Sequence, residues 1–314
     1  MPTISSPIAY FVFNRPRHTR KTFAVIRGQM PSQLFIIADG PREKYPEDIE
    51  RCRKVREIVE TIDWPCKVHR NYSDTNLGCK RRVSSGLDWV FSQVDRAIIL
   101  EDDCFASAEF FSFCDTLLEF YKDNDKVWVV SGNSLQPEHQ RGDGSYYFSK
   151  YPDCWGWATW QRAWQHYQGD LPFLQEWKNS PRWRECFPAR VEQRYWDRIF
   201  NLVQRGKIDT WDFPWTACAI YGGGLAATPN ANLVQNIGFD AEGTHTTTLD
   251  ERFAYDITPL GSMVHPSGIK ADVQADEFYF QQFFVSRYRL WQRLIRKLKG
   301  NINALSWKSN AKKT

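Results

Sequence analysis

An apolar run, Ala97-Ile98-Ile99-Leu100, leads directly into three consecutive carboxylates, Glu101, Asp102 and Asp103. Three like charges at that density are costly unless a cation or a positively charged partner offsets them. Ligands of open α/β sheets collect at the carboxyl ends of strands, where this triplet falls. A hard divalent ion accepting one carboxylate, with a diphosphate filling other positions, satisfies both facts. The plainer alternative is a solvated acidic turn ahead of the next helix. Two further strand ends carry chemistry of the same kind. Phe11-Val12-Phe13 ends in Asn14-Arg15-Pro16, whose guanidinium can meet a phosphate bidentately or lie on the surface. Leu34–Asp39 closes on Asp39-Gly40, an acid that can accept from a base or ribose, or simply start a turn. After a third strand, Gly78 with Lys80, Arg81 and Arg82 opens a helix, either as an anion site or as a solvated basic turn.

The elements that position these residues are legible as alternating short β-rich and helix-like segments, the pattern of a parallel sheet covered by helices. Strands are predicted at Ile8–Asn14, Leu34–Asp39, Cys66–Asn71, Ala97–Glu101 and Val127–Ser131. Helices are expected at about 17–29, 47–62, 79–93 and 107–123, the last starting at Ser107, a good N-cap. Residues 136–148 are polar and Gly-rich and read as a loop. Beyond them, 151–215 hold nine of the fourteen tryptophans. Three parts result: 1–135, 136–282 and 283–314, the last a basic amphipathic helix and tail.

Composition narrows the classes. With 42% hydrophobic and 15% aromatic residues, the 314-residue chain carries far more apolar payload than a disordered one. No apolar run approaches the roughly 18 residues of a membrane span. Met1–Pro7 lacks the features of a secretory signal, so a cytoplasmic location is expected. The eight cysteines form no C-x-x-C pair, which argues against structural zinc. The net charge of +4 conceals nine Lys/Arg and no Asp/Glu in 286–314, attached to a mildly acidic body. That distribution argues against nucleic-acid binding over the fold and for a tail that meets something anionic, such as a membrane surface near a lipid-linked acceptor. Packing of the basic helix against the body is the alternative.

Taken in order, strand-Asn-Arg, strand-Asp-Gly, Asn76-Leu77-Gly78 with its helix, Ile98-Ile99-Leu100-Glu101-Asp102-Asp103, Phe110-Phe111 on a helix and Val127-Trp128-Val129-Val130-Ser131-Gly132-Asn133 resemble the GT-A nucleotide-sugar glycosyltransferases, most nearly the N-acetylglucosaminyltransferase I type. The resemblance covers about residues 8–245 and is strongest over 97–133. It implies a Rossmann-like α/β fold, a nucleoside-diphosphate sugar (most often a UDP-sugar) as donor, Mn²⁺ or Mg²⁺, and inversion at the anomeric carbon. By the same resemblance Asp103 is the metal-binding acid, Glu101 and Asp102 face the donor sugar and ribose, Asp39 recognises the base, and Arg15 meets the donor phosphate. Asn14, Gly40 and Arg82 fall within the motifs that line such a donor site. Cys154-Trp155-Gly156-Trp157 resembles the aromatic segment near the sugar pocket, and Thr210-Trp211-Asp212 the Trp-Asp segment that supplies the catalytic base.

A base is needed because an acceptor hydroxyl is a poor nucleophile near neutral pH. Asp212 is the choice, with Trp211 and Trp215 offering sugar-stacking faces that also raise its pKa. This chain follows its Trp-Asp with Phe213-Pro214 rather than another acid, and Trp196-Asp197 competes for the role. His245, in a loop, is a candidate late metal ligand or phosphate contact. The expected activity is therefore metal-dependent, inverting sugar transfer to a glycan or lipid-linked hydroxyl. A metal-dependent phosphohydrolase using the acidic triplet, or a non-catalytic nucleotide- or carbohydrate-binding module, are the alternatives.

Overall fold

The computed structural model describes residues 4–136, 139–238 and 255–285. The first strand, β1 (Ile8–Val12), is followed by α1 (Pro16–Gln29), β2 (Gln33–Ala38), α2 (Glu47–Val59), β3 (Lys67–Tyr72), α3 (Cys79–Phe91) and β4 (Arg96–Glu101). A short β5 (Cys104–Ala106), α4 (Ala108–Phe120), β6 (Val127–Ser131), β7 (Tyr146–Ser149) and β8 (Trp157–Trp160) come next. Five helices follow: α5 (Gln161–Trp164), α6 (Leu174–Asn179), α7 (Pro181–Cys186), α8 (Arg190–Gln204) and α9 (Asp212–Gly222). The described chain closes with β9 (Leu225–Pro229), β10 (Val234–Asn236), α10 (Val273–Tyr279) and a π-helical segment, Phe280–Val285.

Eight strands form one sheet in the order β3-β2-β1-β4-β8-β6-β9-β7, and β10 pairs with β5 in a small second sheet. The first four are mutually parallel, β8 and β7 run antiparallel to their neighbours, and β6 lies parallel to β9. The fold is Rossmann-like α/β with a mostly parallel sheet flanked by helices. The sheet runs without a break across the 135/136 boundary between the two halves.

Strand composition explains the layering. Alternate residues of β1, β2 and β4 face opposite sides, as period 2 requires. Ile8, Tyr10 and Val12 join one buried cluster with Phe23 and Ile26 of α1 and Phe110 and Phe111 of α4. Ala9 and Phe11 join the other, with Val83 and Leu87 of α3 and the tryptophans of α8 and α9. Burial on both faces is why these strands read as continuous apolar runs. Gly86 allows α3 to lie close on the sheet, because a Cβ there would stand 2.6 Å from the Phe11 ring and 3.0 Å from Ile37. Ser107 caps α4, its Oγ accepting from the Phe110 N–H at 3.1 Å.

Two elements differ from the sequence reading. Tyr146–Ser149, inside and just beyond the expected 136–148 loop, is the edge strand β7. Trp157, expected beside the sugar pocket as the last residue of Cys154–Trp157, instead opens Trp157–Trp160, a central antiparallel strand between β4 and β6, with Ala158 opposite both Ile98 and Val130. Both strands have only four residues, too few for alternation to declare itself. Of the expected C-terminal basic helix, Phe283–Val285 belong to the π-helical segment and the rest lies outside the described residues.

Candidate active site

The order β3-β2-β1-β4 places a topological switch between β1 and β4, the crevice where open α/β sheets bind ligands. Register sets the height of the groups there. Phe11 pairs with Glu101, so Arg15 and the carboxylate triplet leave the sheet side by side. A cavity of about 360 Å³ opens at this edge, lined among others by Phe13, Arg15, Asp39, Arg82, Glu101 and Asp102.

The three carboxylates have separate partners. Asp102 is buried, accepts the Phe13 N–H at 3.1 Å and meets Arg15 Nη1 at 3.4 Å. Asp103 accepts from the same Nη1 at 2.6 Å, and its main chain is held by the Ile237 N–H at 2.8 Å. Glu101 accepts no hydrogen bond among the described residues. Burial, then the charges of Asp103 and Asp102, push its carboxyl well above the usual range, only partly offset by Arg15. Burial opposes the charge on Arg15, but Asp102 and Asp103 outweigh it and hold the guanidinium above its ordinary value. Among the described residues one guanidinium pairs with Asp102 and Asp103 while Glu101 has no ion pair, so acids exceed paired cations at the triplet itself.

That excess suits a hard divalent cation. Among the described residues the Asp103 Oδ1 accepts from the Cys104 thiol alone, at 3.7 Å, and carboxylate oxygens are the ligands such ions prefer. Among the described residues no three His, Cys, Asp or Glu side chains stand close enough to hold a metal by themselves. Asp103 and Glu101 are the groups that would hold it, with other positions filled by substrate. His245, the second ligand expected from sequence, lies outside the described residues.

Asp39 lines the cavity as the organiser of its wall. Its two oxygens accept from the N–H groups of Gly40 (2.9 Å), Leu77 (2.9 Å) and Gly78 (3.2 Å), and from the Asn76 amide (3.0 Å). Burial raises its pKa, and these backbone bonds offset part of the rise. Arg82 is buried in the same wall, its Nη2 donating to the Asn71 main-chain and side-chain oxygens at 3.0 and 2.9 Å. Two expected donor-site residues stand back from the cavity. The Asn14 amide donates to Asp48 at 2.6 Å, and Gly40 is pressed against the Asp74–Thr75 backbone, which a Cβ would meet at 2.5 Å.

Asp212 is the first residue of α9, where its Oδ1 accepts from the Thr210 hydroxyl and from the Phe213 N–H at 2.8 Å. It lines a second cavity, of about 170 Å³, together with Asn133, Asp153, Trp155 and Tyr279. The two cavities communicate electrostatically: Asp212 contributes to the raised pKa of Glu101, and both acids act on Cys79 in the first cavity and Cys154 in the second. The rival acid, Asp197, is tied to Lys178 and to the Asn201 amide and lines neither cavity.

The expected sugar-stacking tryptophans need correction. Trp157 is 1% exposed and Trp211 2%, stacked on each other at 5.4 Å, and Trp215 lies fully buried beside them. Their faces are covered by one another, so they are core and present no platform. Trp155 alone of the quoted group is half-buried at the cavity wall. Sequence reasoning missed Asp209 and Arg42 in the first cavity and Asn133 and Asp153 in the second. Asp209 had a local signal, three residues before Asp212. Arg42 had none, since its place depends on the Asp48 carboxylate, which it meets at 2.6 Å.

No family model matches the chain, and no curated protein matches it. Among solved structures, similarity is found to a 4-diphosphocytidyl-2C-methyl-D-erythritol synthase from Anaerococcus prevotii DSM 20548, at 13% identity and a TM-score of 0.32, over 62% of this chain and 82% of the other. A UDP-glucose pyrophosphorylase complexed with UDP-glucose is similar at 10% identity and a TM-score of 0.33, over 72% of this chain and 90% of the other. Superpositions this loose carry no functional argument.

Proposed function

We propose that this chain is an inverting glycosyltransferase that moves a sugar from a nucleoside diphosphate to an acceptor hydroxyl. The observation that carries the reading is the pairing of two cavities, one lined by Glu101 and Arg15 and the other by Asp212, with the charge of Asp212 felt at Glu101. The first cavity, lined by Phe11, Phe13, Ile37 and Val83 and by Arg15, Arg42 and Arg82, offers the mixed apolar and cationic wall that a nucleotide needs, with Arg15 and Arg82 for its phosphates. The resemblance of the 97–133 motifs to the GT-A enzymes supports the same assignment, with a UDP-sugar as the commonest donor.

In this reading Asp212 takes the proton of the acceptor hydroxyl as that oxygen attacks the anomeric carbon. The bond from that carbon to the diphosphate oxygen breaks, and its electron pair leaves with the diphosphate. Arg15 offsets part of the developing charge, because it is already fixed by Asp102 and Asp103 and needs no reorganisation. A divalent ion at Asp103 supplies further charge neutralisation when bound.

The test is incubation with a panel of nucleotide sugars and Mn²⁺, following nucleotide release. Release of one nucleotide that accelerates with a sugar acceptor is the expected result. Binding without turnover of any donor would instead support a non-catalytic module, and phosphate release from simple esters a hydrolase.

A further inference from the structure

The second cavity contains two features that proton abstraction by Asp212 does not require. Asn133 is 1% exposed, and its side chain makes no hydrogen bond among the described residues, with Oδ1 fully enclosed. An amide buried without partners costs free energy that a native fold seldom leaves unrecovered. Asp153 stands in the same wall. Burial pushes its carboxyl up to about 7, despite a hydrogen bond from the Tyr279 hydroxyl to its Oδ1. A carboxyl near neutrality both donates and accepts, and so matches a hydroxyl of either sense. Trp155 supplies a half-buried aromatic wall between these groups and Asp212.

The dimensions and charge narrow what fits. About 170 Å³ is room for one sugar ring. The described lining includes two acids, Asp153 and Asp212, and no Lys or Arg. We propose that this cavity is the acceptor subsite, holding a single uncharged sugar ring whose hydroxyls are read by the Asn133 amide and the Asp153 carboxyl, and excluding rings that carry a carboxylate. The inference rests on the glycosyltransferase reading for the word acceptor, while the binding of a neutral ring can be tested without turnover.

Saturation-transfer NMR on the full chain with methyl glucoside, methyl galactoside, methyl N-acetylglucosaminide and methyl glucuronide provides that test, with UDP binding in the presence of Mn²⁺ followed by calorimetry in parallel. At least one neutral glycoside should bind, and the glucuronide should bind at least about tenfold more weakly, a difference worth about 1.4 kcal/mol. Asn133→Leu and Asp153→Leu should each weaken the neutral ring by about tenfold, the scale of one lost polar contact in a buried site, while UDP binding is unchanged. Failure of every neutral glycoside to bind the unaltered protein, or equal binding of the glucuronide, overturns the proposal. So does unaltered ring binding in both variants. A variant that loses UDP binding has lost its fold, and the neutral-versus-glucuronide comparison on the unaltered chain then decides alone. Loss of UDP binding by the unaltered protein would strike the donor reading instead, leaving the ring-binding result to stand or fall separately.

Discussion

The two halves of the sheet use the same kinds of residue for opposite purposes. At the ends of β1 and β4, charged groups are gathered at a cavity and left incompletely neutralised: Arg15 faces Asp102 and Asp103, and Glu101 has no hydrogen-bond partner among the described residues. On the α8–α9 side, tryptophans that look like a ligand platform are packed into a layer, with Trp157, Trp177, Trp196 and Trp215 all under 2% exposed. The fold tolerates electrostatic cost where a ligand can relieve it, and spends its aromatic surface on cohesion elsewhere. Asp212 and Trp155, with Cys154, Trp196 and Phe213, bring the aromatic half to the wall of a cavity through residues that the sequence had singled out.

The sharpest test of that division is Asp212→Asn. Asparagine keeps the side-chain oxygen that accepts the Phe213 N–H but cannot take a proton, so UDP binding and stability should hold while turnover falls about 10²- to 10⁴-fold. Calorimetry and steady-state kinetics on the same preparation check it. Turnover within a few-fold of the unaltered protein would move the base elsewhere and dissolve the functional contrast between the halves.

Next in size is a pair of tryptophan truncations that should separate core from wall. Trp157→Ala removes a ring enclosed by Trp164, Trp211 and Trp215, and should cost about 3–5 kcal/mol in urea unfolding. Trp155→Ala should cost clearly less stability, because its ring is only partly buried, and should weaken neutral-sugar binding instead. Equal destabilisation by the two would erase the distinction between them.

How far this was readable from the sequence follows the same line. The strands of the first half and the helices between them were legible to within three residues, because burial on both faces imposes continuous apolar runs and each helix has its own amphipathic period. Val127–Ser131 was legible in full. The carboxylate triplet and Arg15 were found because local adjacency of like charges is itself a signal. Asp39 was found at the right edge, but its saturation by the N–H groups of Leu77 and Gly78 depends on a loop folding back from 38 and 39 residues away. The tryptophans misled because aromatic residues near an acid look alike whether they meet a sugar or one another. Asn133 and Asp153 gave no signal, since an unpartnered amide or a half-neutral carboxyl exists only once the surrounding walls have closed.

The smallest effect concerns acids that the second half buries away from either cavity. Asp276, 5% exposed on α10, accepts from Ser149 Oγ at 2.6 Å and from the Lys150 N–H at 3.3 Å and lines neither cavity. Burial outweighs those bonds and pushes its carboxyl up to about 7, from 3.8 for an ordinary Asp. The native state therefore holds a proton that the unfolded chain has released between those two values, so ν_U is less than ν_N and stability falls as pH rises from about 4 to 7, then levels off. Asp276→Asn keeps an acceptor for Ser149 and never ionises. The gap in thermal midpoint between variant and unaltered protein should consequently shift in favour of the variant between pH 5 and pH 8. Taking the difference cancels the opposing slope from His69, whose pKa burial and then Lys67 lower, while Asp153, which the Asp276 charge helps to raise, loses part of its own same-signed slope in the variant and adds to the shift. A gap that stays constant across that range would mean that Asp276 is ionised throughout. The second half would then tolerate a buried charge as the strand ends of the first half do, and the contrast between them would narrow to their tryptophans.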